Sequence, residues 1–394
     1  MDQQTLRARR DNEARFLGML QFHIFLAVWG DSYIDPMVNL TIPSLLFSGN
    51  IPALGARHEC KVVFFTRQGE EAKIRSAASV ARLIEATSVE FVHFDPDSAR
   101  HPYLAMSEAH FLGGLAAKKV GARAIIACPD IAFSDGSLAH IGKLAELGKS
   151  AVMYPGHRII QETSAPALAR RMASGAPIAS RELVAFTLEH IHPLTLSLYY
   201  DSTSFTEWPS ICCWSLGAKG VLSRCFHPHP IMIDFSRIGA METLKTQAID
   251  GSFVSRGLPN WDDVHVETDS DNLHFCSFTP RDALYSYPLL RVRRASIGKL
   301  QRFAYGHPDV VDALHRSFFA KAIKMHTGAL DEEWSQVEEE SAKIAAAALE
   351  SPKPMALRAG RALNQATRVK NALARRIWAY TKPLRNRGNT VSPP

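Results

Sequence analysis

The fold is decided by the stretch Ala124-Ile-Ile-Ala-Cys-Pro-Asp130-Ile-Ala-Phe-Ser-Asp135-Gly-Ser-Leu138. Its apolar beginning predicts a buried central strand, and Asp130 comes directly after that strand. Ligands of open α/β sheets bind at the carboxyl ends of the strands, so we expect Asp130 to face a ligand crevice. The following Ser134-Asp135-Gly136 predicts a turn and a cap for a helix that begins near Ser137. The alternative interpretation is that both aspartates only cap this helix.

Three more apolar stretches precede this one, and helical patterns separate them. Strands that alternate with helices of this length predict right-handed βαβ crossovers and a parallel sheet. The carboxyl ends of such strands share one edge, so Gly30, Thr66-Arg67, Asp95 and Asp130 should line one crevice. The predicted strands cover residues 22–29, 60–66 and 89–94, and the predicted helices cover residues 36–46, 70–85 and 104–120.

The second half of the chain has a less regular pattern. Residues 149–154 and 273–278 predict strands, residues 165–173 and 180–190 predict helices, and residues 193–200 are apolar and β-prone. Residues 201–235 mix strand, turn and aromatic signals, and helices are expected to dominate residues 284–349. The fold class is therefore α/β, with a mostly parallel N-terminal sheet covered by helices on both faces, a mixed region and a helical C-terminus.

Charge is distributed unevenly along the 394 residues, of which 46% are apolar. Residues 351–394 hold ten Lys and Arg and no acid, so the remaining 350 residues carry 35 basic against 39 acidic side chains. A nucleic-acid-binding protein would carry basic stripes on its folded part, and we therefore expect no nucleic-acid partner. Residues 351–387 have the pattern of a cationic amphipathic helix, which predicts peripheral contact with an anionic membrane surface. A solvated helix packed on the body is the alternative.

The cysteines and the N-terminus both bear on the compartment. The six cysteines lie in apolar surroundings without paired metal-type spacings, which predicts reduced thiols in a cytoplasmic protein. The first residues are polar, and no run of about 18 apolar residues occurs, so neither a signal peptide nor a membrane span is expected. Together with the basic tail, the cysteine pattern and the polar N-terminus predict a cytoplasmic protein that can lie at the inner face of the membrane.

Two common nucleotide-binding fingerprints do not occur in the sequence. No Gly-x-Gly-x-x-Gly follows the first predicted strand, and no Gly-x-x-x-x-Gly-Lys-Ser/Thr occurs anywhere. A dinucleotide-binding Rossmann domain and a P-loop are therefore not predicted.

A run of βα units that ends in a short acidic motif after the fourth strand, with a late histidine, resembles the GT-A fold of nucleotide-sugar glycosyltransferases. In that family an Asp-x-Asp motif holds Mn²⁺ or Mg²⁺ against the donor diphosphate. Here Cys128-Pro129-Asp130 occupies the motif position, so only the second acid is present. The resemblance covers residues 21–235. It implies a hexosyltransferase-like enzyme of bacterial surface polysaccharide or glycan synthesis, with a UDP- or GDP-sugar donor and a glycan, lipid or protein acceptor.

The resemblance also implies a domain organisation. Residues 1–20 would form an N-terminal helical leader and residues 21–300 a GT-A-like catalytic domain, beginning with a half-Rossmann sheet. Residues 301–350 would form a helical extension, followed by the basic amphipathic tail at residues 351–394.

On the donor side, the leaving diphosphate needs its growing negative charge neutralised, which a cation held by carboxylates does. Asp130 is the first candidate ligand for Mn²⁺ or Mg²⁺, and His227 or His229 would be the late histidine. A His-Pro-His loop is also compatible with a purely structural turn. Donor-binding roles are expected for Trp29, Arg67, Asp95 and Asp130, with Trp29 stacked on the base or, alternatively, part of the core.

On the acceptor side, Asp201, Glu207 and Trp208 lie where the resemblance implies a catalytic carboxylate and a sugar-stacking aromatic side chain. An inverting enzyme needs a general base for the acceptor hydroxyl, and Glu207, next to Trp208, is preferred over Asp201. Asp269-Ser-Asp271 is a further acidic candidate or a solvated turn.

Two other classes of function compete with this one. Gly30-Asp31-Ser32 resembles the nucleophile block of SGNH hydrolases, and Asp312-Ala-Leu-His315 supplies an Asp-x-x-His. No Gly-x-Asn-Asp block provides the oxyanion hole of that class. The other alternative is a non-catalytic GT-A-like binding protein, in which Cys128 has replaced a metal-binding acid.

Overall fold

The computed structural model describes residues 18–98, 102–245, 247–250, 252–286, 294–307, 310 and 312–351. The basic tail and most of the N-terminal leader therefore lie outside the described residues. The strands are β1 Gln21–Ala27, β2 Glu59–Thr66, β3 Ser88–His93, β4 Arg123–Ile126, β5 Ile131–Phe133, β6 Ala151–Tyr154, β7 His157–Ile160, β8 Ile211–Ser215, β9 Gly220–Cys225, β10 His229–Asp234, β11 Val264–Val266, β12 Phe275–Thr279 and β13 Ile323–His326.

Helices of very different length connect these strands. They are α1 Asp31–Pro36, α2 Ile42–Leu45, α3 Ile51–Gly55, α4 Glu71–Arg75, α5 Ala78–Ala86, α6 Pro102–Val120, α7 Ser137–Glu146, α8 Gln161–Met172, α9 Ser180–Glu189, α10 Pro193–Leu196, α11 Ser252–Gly257, α12 Ile297–Gly306, α13 Ala313–Ala320 and α14 Glu332–Leu349. A π-helical turn, Met37–Thr41, joins α1 to α2. Among the helices of the described residues, none has both the length and the apolar character that a membrane span requires.

A seven-stranded sheet in the order β3-β2-β1-β4-β10-β6-β11 forms the centre of the fold. All its strands run in one direction except β10, which is antiparallel to both β4 and β6. The central strand β1 has the sequence QFHIFLA and is buried from Phe22 to Ala27. A strand that is apolar on both faces is stable only between two layers of helices, which explains its position at the centre of a parallel sheet.

The predicted α/β class is confirmed, and the mostly parallel sheet is consistent with a GT-A-like fold. The four predicted N-terminal strands share one sheet, with β1 parallel to both β2 and β4 and β2 parallel to β3. Since β2 and β3 lie on one side of β1 and β4 on the other, the strand order reverses between β1 and β4. Ligands of open α/β sheets bind at the carboxyl end of such a switch point.

Several element predictions were wrong in detail. Residues 193–200 were expected to be β-prone, but Pro193 begins a short helix that the side chain of His192 caps by accepting from the Leu194 N–H. The fixed φ of proline suits the first helical turn, which outweighs the apolar pattern. The helix expected over residues 70–85 is broken into α4 and α5, and the largely helical C-terminal region contains β13, which pairs with β9.

Two smaller sheets complete the fold. The order β5-β12-β7 places the segment after β4 beside two later strands. The order β13-β9-β8 carries a second hydrophobic core, in which Phe226 and Phe319 stack at 3.9 Å between ring centroids and Trp334 is 2% exposed. The sequence did not predict these sheets as separate units, because their pairing partners lie up to about a hundred and fifty residues apart.

Helix α6 packs so closely on the central sheet that Gly113 has no room for a side chain. A Cβ atom at Gly113 would lie 2.6 Å from Phe65 Cζ and 2.7 Å from Phe25 Cζ. We expect Gly113→Ala to lower the free energy of unfolding by about 1–3 kcal/mol, because the overlap outweighs the better helix propensity of alanine. Urea unfolding of the purified variant measures this change.

Gly55→Ala is the matched control, since this glycine also lies in a helix and a Cβ there would have nothing within 4 Å. Its stability should stay within about 1 kcal/mol of wild type or rise. Equal stabilities of the two variants would contradict the close packing of α6 on β1 and β2.

Candidate functional site

The switch point brings residues from three separate segments to one edge of the sheet. Trp29 follows β1, and Cys128-Pro129-Asp130 follows β4. Because β10 runs antiparallel to these strands, its first residue, His229, lies at the same edge as their last residues. Asp130 and His229, which the sequence predicted as metal ligands, therefore lie at the same edge of the sheet, where the predicted crevice would be.

Asp130 carries a carboxyl group that is poorly compensated for its burial. Its partners among the described residues are its own backbone N–H and Ser277 Oγ, which donates to Oδ2 over a long 3.5 Å. Burial raises the pKa of Asp130, and the charge of Arg158 opposes this rise. A carboxyl group whose pKa is raised by burial and that lies near a specific cation is typical of a functional site.

The small sheet β5-β12-β7 positions the cation that faces Asp130. Ser277 pairs with Ile131 on one side and with Arg158 on the other, and the Phe278 N–H donates to the Asp130 carbonyl at 2.7 Å. Ser277 thus lies between the strand that carries Arg158 and the segment that carries Asp130, and the charge of Arg158 acts on the Asp130 carboxyl group. Arg158 is exposed, and its guanidinium donates to Thr279 Oγ1 at 3.2 Å.

Two histidines within electrostatic reach of Asp250 have buried nitrogen atoms without hydrogen-bond partners among the described residues, namely Nε2 of His229 and Nδ1 of His110. His229 donates its other ring N–H to the Ile126 carbonyl, which leaves a lone pair on Nε2. A histidine that is oriented by a backbone carbonyl in this way resembles a metal ligand before the ion binds. Burial lowers the pKa of both rings, to about 4 for His110, so both are neutral at physiological pH.

Cys128 and Asp250 complete the surroundings of this crevice. Burial and the neighbouring charges of Asp130 and Asp250 raise the pKa of the Cys128 thiol, which therefore stays protonated. A neutral thiol is a poor ligand for hard cations such as Mn²⁺ or Mg²⁺. Asp250 is exposed and acts electrostatically on His110 and His229 as well.

The helix that follows Asp130 is not capped as the sequence predicted. Gly136, with φ of +85°, is the N-cap residue of α7, and Asp135 Oδ1 instead accepts from the Gly49 N–H at 2.6 Å. The side chain of Asn50 accepts from the Leu138 N–H at 3.0 Å. A remote loop thus provides the hydrogen bonds of this helix start, a role that local spacing does not reveal.

Arg67, Asp95 and Trp29 lie at the carboxyl ends of β1 to β3, as their positions predicted. Arg67 donates to both oxygens of Asp97, at 2.7 and 2.9 Å, and to Glu70 at 3.2 Å. Asp95 Oδ1 accepts from the Asp97 N–H, and the Trp29 ring packs edge-on against Phe94 at 5.7 Å. To bind a nucleotide-sugar donor, Arg67 would have to break some of its hydrogen bonds to Asp97 and Glu70. Contact of Trp29, Arg67 and Asp95 with a donor stays a prediction.

The acceptor-side candidates lie around the second core. Trp208 packs against His307 and Phe303, with ring centroids 4.0 and 5.8 Å away, and Glu207 Oε1 lies 3.5 Å from Lys299 Nζ. Asp201 is exposed. The His227 ring lies 6.3 Å from Phe303, whereas the His229 ring lies 6.4 Å from Phe275, so the two histidines of the His-Pro-His loop have different surroundings. The roles expected for Asp201, Glu207, Trp208, His227 and His229 stay predictions.

One part of the SGNH constellation, the acid–histidine pair, is in contact. His315 Nδ1 lies 3.2 Å from Asp312 Oδ1, as an acid–histidine pair requires. The other oxygen of Asp312 accepts from Ser255 Oγ at 2.8 Å, and His315 is 1% exposed. Ser32 is an exposed residue of α1. The contacts of this pair therefore support a structural link between α11 and α13.

Sequence reasoning missed Arg158, His110 and Asp250 as members of the crevice. Arg158 was hidden because β7 belongs to a small sheet whose pairing with β12 joins residues more than a hundred positions apart. His110 lies in a helix whose other residues gave an ordinary amphipathic pattern. An isolated histidine on the buried side of that pattern was the one available signal.

No protein-family model matches the sequence, and no curated protein matches it. Among solved structures, the chain is similar to mouse xyloside xylosyltransferase 1 in its apo form, with a TM-score of 0.24 and 10% sequence identity. The match covers 36% of this chain and 55% of that one, so the chain spans about half the length of this neighbour. Likeness at this level establishes no activity, and the proposal below rests on the residues of the switch point.

The buried histidine at the crevice makes a testable contribution to pH-dependent stability. Its folded pKa of about 4 is below the ordinary value of 6.5, so between these pH values the unfolded chain binds a proton at His110 that the folded protein does not. Stability therefore falls as pH falls through this window, by about 1.4 kcal/mol per pH unit for one such proton. We expect His110→Gln to reduce the slope by up to this amount, measured by urea unfolding at pH 7, 6 and 5. An unchanged slope would contradict the burial of His110.

Proposed function

We propose that the protein is a glycosyltransferase that binds a nucleoside-diphosphate sugar at the switch-point crevice, with a divalent cation held by Asp130 and His229. The observation that carries this proposal is the presence, at the carboxyl ends of the central strands, of an undercompensated carboxyl group on Asp130 and of a His229 ring nitrogen that has no hydrogen-bond partner among the described residues. Open α/β sheets bind their ligands at this edge, and the polar groups there suit a cation and a diphosphate.

The ligand types of Asp130 and His229 suit Mn²⁺ or Mg²⁺, but the number of protein ligands is small. Carboxylate oxygen is the preferred ligand of both ions, and the Nε2 lone pair of His229 suits Mn²⁺. Among the described residues, Asp130 and His229 do not belong to any set of three side chains with ligand atoms within 4.8 Å of one another. Ions of this kind are commonly held by one or two carboxylates together with substrate phosphates and water, so the donor would complete the coordination.

Each residue of the crevice has a defined part in this proposal. When bound, a divalent cation neutralises the charge that develops on the leaving diphosphate. Asp130 holds that cation, and Arg158 offers its exposed guanidinium to phosphate oxygens, a geometry that guanidinium groups match well. The Ile126 carbonyl fixes the orientation of the His229 ring and leaves Nε2 without a hydrogen-bond partner among the described residues.

For the acceptor, we propose Glu207 as the general base and Trp208 as the aromatic platform for a sugar ring. Lys299 orients the Glu207 carboxyl group through the 3.5 Å contact. Asp201 is the second choice of base. The acceptor would be a glycan, a lipid or a protein hydroxyl group, and the donor would carry UDP or GDP.

The test is binding of nucleotides with and without Mn²⁺. We expect UDP or GDP to raise the melting temperature in thermal-shift assays only when Mn²⁺ is present, and CMP, which lacks a diphosphate, to have no such effect. Asp130→Asn should weaken the Mn²⁺-dependent binding by on the order of 10- to 100-fold in calorimetry, since it removes the charged cation ligand.

Asp262→Asn is the matched control, because Asp262 is an exposed carboxylate on the connection to β11. It should bind the nucleotide like wild type. Undiminished Mn²⁺-dependent binding by a folded Asp130→Asn protein would exclude the proposed role of Asp130. Nucleotide binding without transfer or hydrolysis of any sugar donor would instead favour the non-catalytic alternative.

A further inference from the structure

A second set of metal-ligating side chains lies at the far edge of the large sheet. His265 and Glu267 are two residues apart at the end of β11, the edge strand that pairs with β6. Residues two apart on a strand project to the same face of the sheet. His140, from α7, reaches the same point, and the ligand atoms of the three side chains all lie within 4.8 Å of one another. We call these three residues the edge cluster.

Glu267 is oriented so that one of its oxygens is left for the histidines. Its Oε1 accepts from the backbone N–H groups of Thr268 and Asp269, at 2.8 and 2.9 Å. Its Oε2 lies 2.6 Å from His140 Nε2 and 3.3 Å from His265 Nε2. Both imidazoles therefore present the same nitrogen to the same oxygen, on a carboxyl group that its backbone neighbours hold in place.

The charge at this position is buried, and hydrogen bonds rather than a Lys or Arg side chain compensate it. Glu267 is 3% exposed, and hydrogen bonds from the two histidines hold the pKa of its carboxyl group far below the usual range, so that the group is ionised. Among the described residues, no Lys or Arg forms an ion pair with it; its ion-pair partners are His140 and His265. A buried carboxylate is costly unless it is paired or coordinates a metal.

A neighbouring set of possible ligands is already neutralised in another way. Asp269, Asp271 and His326 also lie within 4.8 Å of one another. Asp271, however, accepts three hydrogen bonds from the guanidinium of Arg181, at 2.6 to 3.1 Å. The guanidinium of Arg181 thus neutralises Asp271, and His326 Nε2 lies 2.9 Å from Asp269 Oδ1, so the acids of this turn are already paired.

We propose that the edge cluster binds a divalent first-row transition ion, of which Zn²⁺ is the representative. Two neutral imidazoles and one carboxylate are the ligands of many three-residue zinc sites, with water in the fourth position. The side chains of His140 and His265 are 21% and 30% exposed, so the ion and its water can enter from solvent. The hard ions Mg²⁺ and Ca²⁺ prefer oxygen ligands and are not expected here.

The distances are close to those that such an ion needs. Ligand atoms about 2.0 Å from a tetrahedral ion are about 3.3 Å from each other. The separation between His265 Nε2 and Glu267 Oε2 is 3.3 Å, whereas that between His140 Nε2 and the same oxygen is 2.6 Å. Binding thus requires His140 to withdraw by about 0.7 Å, which a rotation of a partly exposed side chain provides.

Occupation of this site would link α7 to the edge strand β11. Strand β11 has three residues, and edge strands of that length depend on side-chain contacts for their stability. An ion that binds only the folded protein adds stability in proportion to the logarithm of its concentration over its dissociation constant. The expected consequence is a zinc-dependent rise in melting temperature.

Calorimetric titration of the full chain with Zn²⁺ tests the proposal. We expect one site in wild type that His140→Ala and His265→Ala each weaken by on the order of 100-fold or more, since loss of a direct ligand exceeds the effect of losing its supporting partner. Mg²⁺ should neither bind this site nor compete for it. The Co²⁺ complex of wild type should show the visible absorption of a low-coordinate site, and both variants should lose it.

His93→Ala is the matched control, because His93 Nε2 also lies 2.6 Å from a carboxylate, that of Glu71, but has no second histidine. It should bind Zn²⁺ like wild type. His265→Asn keeps a hydrogen-bond donor for Glu267 but removes the imidazole. It should also lose Zn²⁺ binding, and it therefore tests the site even where the alanine variants fold poorly. Zn²⁺ binding that is retained by His140→Ala, His265→Ala and His265→Asn would overturn the proposal. A Mg²⁺ ion that competes for the site as well as Zn²⁺ does would also overturn it. Asp130→Asn should leave this binding intact, which separates it from the proposed nucleotide site.

Discussion

The parallel pairing of β1 with β2 on one side and β4 on the other is the constraint on which the rest of the structure depends. Burial of β1 on both faces requires helices above and below the sheet, and right-handed crossovers then carry the chain outward in two opposite directions. The connections leave a gap where these directions diverge. Trp29 and Cys128-Pro129-Asp130 lie at this gap because they are the first residues after the strands that form it.

Two buried carboxyl groups at the strand ends have contrasting surroundings. Asp130 lies within electrostatic reach of the guanidinium of Arg158, and a carboxylate with a guanidinium suits a hard cation and phosphate oxygens. Glu267 faces two imidazoles and no guanidinium among the described residues, which suits a softer transition ion. Under the two proposals, this difference in ligand chemistry separates a substrate site from a stabilising metal site on one sheet.

The sequence predicted the part of the fold that depends on local pattern. Apolar runs and helical periods indicated β1 to β4 and the helices between them, because a buried parallel strand has a distinctive composition. The positions of Trp29 and Asp130 at one edge followed from that pattern. His229 also lies there, but for a reason that the sequence did not reveal: β10 runs antiparallel and begins with it.

What the sequence could not predict depends on pairing between distant segments. Arg158 comes to face Asp130 only because β12 lies between β5 and β7, and the edge cluster requires β11 to pair with β6 across more than a hundred residues. The alternation in Val264-His-Val-Glu267 was the local signal for a short strand with two polar side chains on one face. Asp135, expected to cap α7, binds a loop some eighty residues upstream, because tertiary contact outweighed the local turn chemistry.

Anomalous diffraction at the manganese edge, from crystals grown with Mn²⁺ and UDP or GDP, tests the central claim most directly. The account predicts a manganese peak in the crevice within coordination distance of Asp130, between this side chain and the diphosphate, with His229 Nε2 directed at the ion. A nucleotide bound elsewhere on the protein, or manganese found without any contact to Asp130, would contradict it.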